Sequence, residues 1–146
     1  MKARVVYYSV TGNTRKVAES IAQAVGVTAE SIGTGTAPGE AEVLFIGAAV
    51  YATHDHGLHP VVKKFIAGLN GGKVKQVAVF ATGFIQSDAV GMLKSTLQRQ
   101  GIKVADESYF CKGRFALFNL GHPGEKDLEA AADFARKITG PAPRRD

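Results

Sequence analysis

The residues best suited to chemistry stand together near the start of the chain, in the stretch Ser9-Val10-Thr11-Gly12-Asn13-Thr14. Hydroxyls, a carboxamide and a glycine alternate there between two segments of different character. Before it, Arg4-Val5-Val6-Tyr7-Tyr8 is apolar, β-branched and aromatic, which reads as a buried strand. After it, Val17, Ile21, Ala24 and Val25 fall at i, i+4, i+7 and i+8, the spacing of one face of a helix. The stretch is therefore the turn from the C-terminal end of a strand into the N-terminus of a helix. The first backbone N–H groups of that helix lack partners within it, and its dipole places partial positive charge among them. Gly12 lets the backbone approach a bound group, and Ser9, Thr11, Asn13 and Thr14 add side-chain donors. Such a turn is a cradle for a small anion, in the first place a phosphate. The plainer alternative is a strand-to-helix turn with a Thr or Asn cap. Two common nucleotide loops are excluded: there is no lysine where a Walker loop needs one, and only one glycine where a dinucleotide fingerprint needs three.

A second group is His54-Asp55-His56 with His59, whose residue types suit zinc or iron. An irregular loop fixes no ligand geometry, however, and no further Cys or carboxylate motif completes a four-ligand set. No metal is expected, and a histidine that donates a proton or a hydrogen bond is the alternative use of this loop. Cys111 is the only cysteine, so there is no internal disulfide and no CxxC pair. It falls on a presumed edge strand away from the crevice, where a buried, unreactive thiol is expected rather than a catalytic one.

The elements that must position these residues follow from the rest of the 146-residue chain, which is 45% apolar and 21% charged, as in a soluble globular domain. Gly26 ends the first helix, and Val27 to Ile32 reads as a short second strand. Gly33 to Gly39 is too rich in breakers for a good helix, so at most one helical turn is expected near Glu40. Val43-Leu44-Phe45-Ile46-Gly47 is a central strand buried on both faces. Pro60 opens a helix with Val61, Val62, Phe65, Ile66 and Leu69 inward, and Asn70-Gly71-Gly72 stops it. Val74 to Thr82 is the next buried strand. Ser87 is placed to cap a helix carrying Val90, Leu93 and Leu97, which ends at Gly101. Ile102 to Lys112 alternates as an edge strand does, residues 113–124 are irregular, and Leu128, Ala131, Ala132, Ala135 and Ile138 mark a last helix closed by Gly140 and Pro141.

Strand and helix alternate, with no internal repeat and no linker. That implies an α/β fold, a parallel sheet wrapped by helices. A single domain is expected over residues 1–140, with a short C-terminal tail at 141–146. No stretch is long enough to span a membrane, and the N-terminal run is too short for a signal peptide, so the cytoplasm is the expected compartment. The net charge of +5 would suit nucleic acid, but the basic residues are scattered doublets (Arg15-Lys16, Lys63-Lys64, Arg144-Arg145) without interleaved aromatics. Neither a nucleic-acid nor a membrane partner is expected.

Ser9 to Thr14 resembles the phosphate loop of the flavodoxin family, Ser/Thr-x-Thr-Gly-Asn-Thr, at all five defining positions. The resemblance extends over nearly the whole chain. It implies a doubly wound, three-layer αβα sandwich with a five-stranded parallel sheet in the order 2-1-3-4-5. Its ligand would lie at the switch point between strands 1 and 3, and the cofactor it implies is flavin mononucleotide, FMN. The loops after strands 1, 3 and 4 would then converge on one crevice. Gly47-Ala48-Ala49-Val50-Tyr51 resembles the family's second loop, which places Tyr51 on a face of the flavin, flanked by Val50, Ala52 and Thr53. Ala81-Thr82-Gly83-Phe84 resembles the third loop, whose backbone meets the pyrimidine edge of the ring.

The chain departs from the family in three places. No Tyr follows in Ile85-Gln86-Ser87-Asp88, so Phe84 substitutes for the second stacking aromatic or that face stays open to a substrate. Ala52 stands where carriers commonly have a glycine whose peptide flips toward the half-reduced flavin, and it would resist that flip. The loop is rich in histidine and leads to Lys63-Lys64 where carriers are acidic, which implies a higher redox potential. The resemblance thus implies an electron-transfer protein that serves either a redox partner protein or a small acceptor such as a quinone. Whether it is a carrier or an FMN-dependent oxidoreductase stays open. The alternative is a flavodoxin-fold binding or regulatory module without redox activity.

Overall fold

The computed structural model describes residues 2–49, 58–83, 89–113 and 121–140. Its elements run β1 (Ala3–Tyr7), α1 (Asn13–Val25), β2 (Ala29–Ser31), β3 (Ala41–Ala49), α2 (Pro60–Ala67), β4 (Val74–Gly83), α3 (Ala89–Arg99), β5 (Tyr109–Lys112) and α4 (Glu125–Thr139). All strand pairs are parallel, and the sheet order is β2-β1-β3-β4-β5, as the family resemblance implied. The order reverses between β1 and β3, so the C-terminal ends of those two strands open a crevice there.

Each face of the sheet carries its own apolar layer. Val17 and Ile21 of α1 pack with Ala131 and Phe134 of α4 over Val5, Phe45 and Phe80. On the opposite face, Val62 and Ile66 of α2 and Leu93 and Leu97 of α3 cover Val6, Leu44 and Val79. Because β3 and β4 are covered on both faces, their sequences are apolar almost without interruption. The C-terminus of α1 is closed by Gly26 at φ 77°, with Val27 N–H returning to the Ala22 carbonyl.

Two expectations, for the last strand and the last helix, are corrected by this geometry. The connection from β2 to β3 meets the expectation of at most one helical turn: it contains none, and a turn over Gly33–Thr36 is closed by Thr36 N–H donating to the Gly33 carbonyl. The connection is held by the Arg4 guanidinium, which donates to the Pro38 carbonyl, to the Ala37 carbonyl at 3.3 Å and to the Glu30 carboxylate at 3.0 Å. The expected strand from Ile102 to Lys112 is broken, with a lone bridge at Val104 and then four residues of β5. In the last helix Phe134 is buried while Ala132 is only half-buried. The proposed cap Ser87 lies outside the described residues.

Candidate functional site

The turn from β1 into α1 is closed by its own side chains. Gly12 N–H donates to Ser9 Oγ at 3.0 Å, and Asn13 Nδ2 donates to Thr11 Oγ1 at 2.9 Å. Each of these hydroxyls accepts a bond and keeps its own proton to give. Gly12 is the residue before the helix, at φ 91° and ψ −6°, a left-handed conformation that glycine reaches without strain. Gly12, at the cap position of α1, has no side chain to offer the helix N-terminus, and the first turn of α1 has no acidic residue. The helix terminus therefore presents positive potential, and no acidic residue of its own first turn neutralises it. Val10 lies at the outside of the turn, two-thirds exposed (66%).

The third loop's strand comes in beneath. Thr14 Oγ1 and Thr82 Oγ1 are 2.7 Å apart, and both residues are 1% exposed, so the first turn of α1 is tied to the end of β4. The Thr14 hydroxyl thus lies buried beneath the turn, behind Thr11. Gly83 accepts a bond from Gly113 N–H at 2.8 Å, which brings the chain just past β5 to the same place. A Cβ on Gly113 would fall 2.6 Å from Asn13 Nδ2, so only glycine leaves room for the Asn13 carboxamide. Ser9, Val10, Thr11, Gly12, Asn13, Thr14, Thr82 and Gly83 are thereby gathered at one end of the sheet. Val50, Tyr51, Ala52, Thr53 and Phe84, the expected ring contacts, lie outside the described residues.

Sequence reasoning missed two neighbours of this turn. Tyr8 stacks on His59, with ring centroids 4.3 Å apart, and its hydroxyl lies 3.2 Å from His59 Nε2. His59 is the cap of α2: its Nδ1 accepts from Val61 N–H at 3.1 Å. With Nδ1 accepting, neutral His59 carries its proton on Nε2 and donates it to the Tyr8 hydroxyl, whose own proton remains to be given. Both nitrogens of His59 are therefore engaged. Among the described residues no group of three or more His, Cys, Asp or Glu is arranged to hold a metal. His54, Asp55 and His56 lie outside the described residues. Gly113 was also unmarked as a contact of the turn. Its one signal was a glycine directly after a strand.

The family model for the flavodoxin domain matches residues 4–121 of this chain. The chain belongs to the flavodoxin family. A search of curated proteins by sequence finds no match. Among solved structures, a flavodoxin from the domain Archaea superposes with a TM-score of 0.74 at 24% identity, covering 96% of this chain and all of that one (100%). Oxidised flavodoxin 2 from Bacillus cereus gives 0.70 at 20% identity, covering 95% and 98% of the two chains. Rubredoxin oxygen:oxidoreductase from Desulfovibrio gigas gives 0.70 at 17% identity, covering 94% of this chain and 35% of that larger one. At these identities the superpositions show the shared fold. No helix among the described residues is long and apolar enough to cross a membrane.

Cys111 of this flavodoxin-family chain sits in β5 opposite Thr82, but its side chain packs into the layer under α1 and α4. Burial pushes the thiol up to about 12; the Asp127 carboxylate adds to this and the hydrogen bond with Tyr109 opposes it. The folded thiol is thus neutral, and its contribution to stability is whole below the unfolded thiol's pKa of about 8.5. That contribution is lost as the pH rises from there toward 12. A thiol-disulfide reagent at pH 8 should leave the native protein unlabelled and label it fully in guanidinium chloride. Rapid labelling of the native state would contradict the buried placement.

The same flavodoxin layer is anchored at the start of α4. Tyr109 Oη donates to the Asp127 carbonyl at 2.6 Å, and Gly124 N–H donates to Asp127 Oδ2 at 2.8 Å. Burial works against the Asp127 charge. The bonds from Gly124 N–H and His122, with the His122 charge, more than offset it and lower the pKa. That stability is present above the unfolded carboxylate's pKa and is lost as the pH falls through the lowered one.

Proposed function

We propose that the chain binds FMN in the crevice between β1 and β3 and serves electron transfer, delivering electrons to a partner protein or to a small acceptor such as a quinone. One observation carries this reading: the N-terminus of α1 opens behind Gly12, which has no side chain to cap it, at the sheet's switch point. Flavodoxins as a family hold FMN, and the donors here fit its phosphomonoester. Backbone N–H groups of the first turn of α1 and the hydroxyls of Ser9 and Thr11 would take the phosphate oxygens, with Thr14 reaching it from below. Gly83 and Thr82 would present backbone groups to the ring's pyrimidine edge, and Tyr51 would stack on its face. When bound, FMN supplies the one- and two-electron chemistry; the chain seats it, shields it and sets its electrostatic surroundings.

The test is a titration of apoprotein with FMN, followed by quenching of flavin fluorescence, and then an assay of the reconstituted protein. Saturable quenching supports the reading, and an apoprotein that takes up no FMN at generous excess overturns it. Sustained NAD(P)H oxidation by the reconstituted protein alone marks an oxidoreductase, whereas turnover only with an added reductase marks a carrier.

A further inference from the structure

Thr14 and Thr82 make an unusual pair for an interior. Their hydroxyl oxygens are 2.7 Å apart, both residues are 1% exposed, and among the described residues this is the one hydrogen bond either hydroxyl makes. Two hydroxyls carry two protons, and the bond between them uses one. The second proton is shut away from water and needs an acceptor. Where that acceptor lies decides which way the pair points.

Were Thr14 the donor, the remaining proton would sit on Thr82, at the end of β4 and inside the sheet layer. Were Thr82 the donor, it would sit on Thr14, in the first turn of α1. That turn is where the first backbone N–H groups of α1 gather, and none of its own residues is acidic. An anion held there provides the missing acceptor, and only the second direction uses it.

We infer that Thr82 is a positioning residue for the anion site: its hydroxyl donates to Thr14 Oγ1 and turns the Thr14 proton onto the phosphate. This deepens the FMN reading and rests on it for the identity of the phosphate. In a dry setting an O–H···O–H···O⁻ chain is polarised along its length, so the donor behind strengthens the donor in front. The chain also links β4, whose next residue Gly83 leads into the expected ring-edge loop, to the turn that seats the phosphate. Thr82 therefore has a part in phosphate binding through its side chain, separate from the backbone contact expected of it toward the ring.

The test compares FMN with riboflavin, which lacks the phosphate, on apoprotein of the wild type, Thr82→Val and Thr82→Ser. Thr82→Val keeps the shape and removes the hydroxyl. It should weaken FMN about tenfold, the size of one lost hydrogen bond, and leave riboflavin within about twofold, so the preference for FMN falls. Thr82→Ser should restore that preference. An unchanged preference in Thr82→Val, or a Thr82→Ser that falls as far, overturns the inference. If Thr82→Val fails to fold, Thr82→Cys takes its place, since a thiol is a weak donor of similar size. Stabilisation by inorganic phosphate alone gives a second readout. A rise in melting temperature in the wild type and Thr82→Ser that is lost in Thr82→Val supports the chain of hydroxyls even if FMN itself does not bind. An equal response to phosphate in the wild type and in Thr82→Val defeats the inference while leaving the FMN reading standing.

Discussion

Riboflavin is expected to bind this protein about a thousandfold more weakly than FMN. The figure follows from counting what the phosphate alone would engage. Hydrogen bonds to a charged partner contribute about 1.5–3 kcal/mol each. Two such bonds from the first turn of α1 or its loop hydroxyls amount to roughly 3–6 kcal/mol, and each 1.4 kcal/mol is about tenfold in affinity. The absence of an acidic residue in that turn means that no neighbouring carboxylate on the helix subtracts from the attraction. Calorimetric titration of the apoprotein with each ligand, at one fixed salt concentration, measures the ratio. Raising the salt should narrow it, because the helix-terminus contribution is screened. A ratio under about tenfold would mean that the phosphate is not seated at α1 and that the ring carries the affinity.

Gly47→Ala is expected to destabilise the apoprotein by about 3 kcal/mol, at the upper end of ordinary overpacking. Gly47 lies within β3, paired with Tyr7 on one side and Phe80 on the other. A Cβ there would stand 2.0, 2.3 and 2.5 Å from three carbons of the Phe80 ring. Phe80 is fully buried, and so are Phe45 and Ala78 in the same layer, so the ring has nowhere to retreat. Urea unfolding gives the value directly. The mechanism is checked by adding Phe80→Leu: if the clash is the cause, the double variant should be more stable than the sum of the two single effects. Strict additivity would move the explanation elsewhere. The glycine that sequence comparison connects with the second loop thus has a packing duty of its own, inside the strand.

Much of this architecture can be read along the chain because each strand and helix is covered in a regular way. β3 and β4 are apolar on both faces, so they stand out as unbroken runs. α1 and α2 are amphipathic, and Val17, Ile21, Val62 and Phe65 follow the helical period into the core. The turn into α1 is legible because its polar donors are consecutive. What the pattern does not carry is which distant residue meets which. From Val104 to Tyr109 the chain advances five residues while its partner strand advances three, from Val77 to Phe80. That surplus breaks the edge strand although its composition alternates throughout. Arg4 replaces a crossover helix by reaching Glu30, Ala37 and Pro38, and nothing in a β-strand's period announces such a reach. Tyr8 and His59 meet across 51 residues for the same reason.

The close fit of Gly113 against Asn13 has a mechanical consequence. The last strand is short and lies at the sheet's border, where fraying is ordinarily cheap. Here its far end leans on the asparagine that opens α1 and holds Thr11, and its next amide is bound to Gly83. Peeling β5 away would therefore loosen the turn into α1 from behind, so that fraying at the border and departure of an anion held there would become one event.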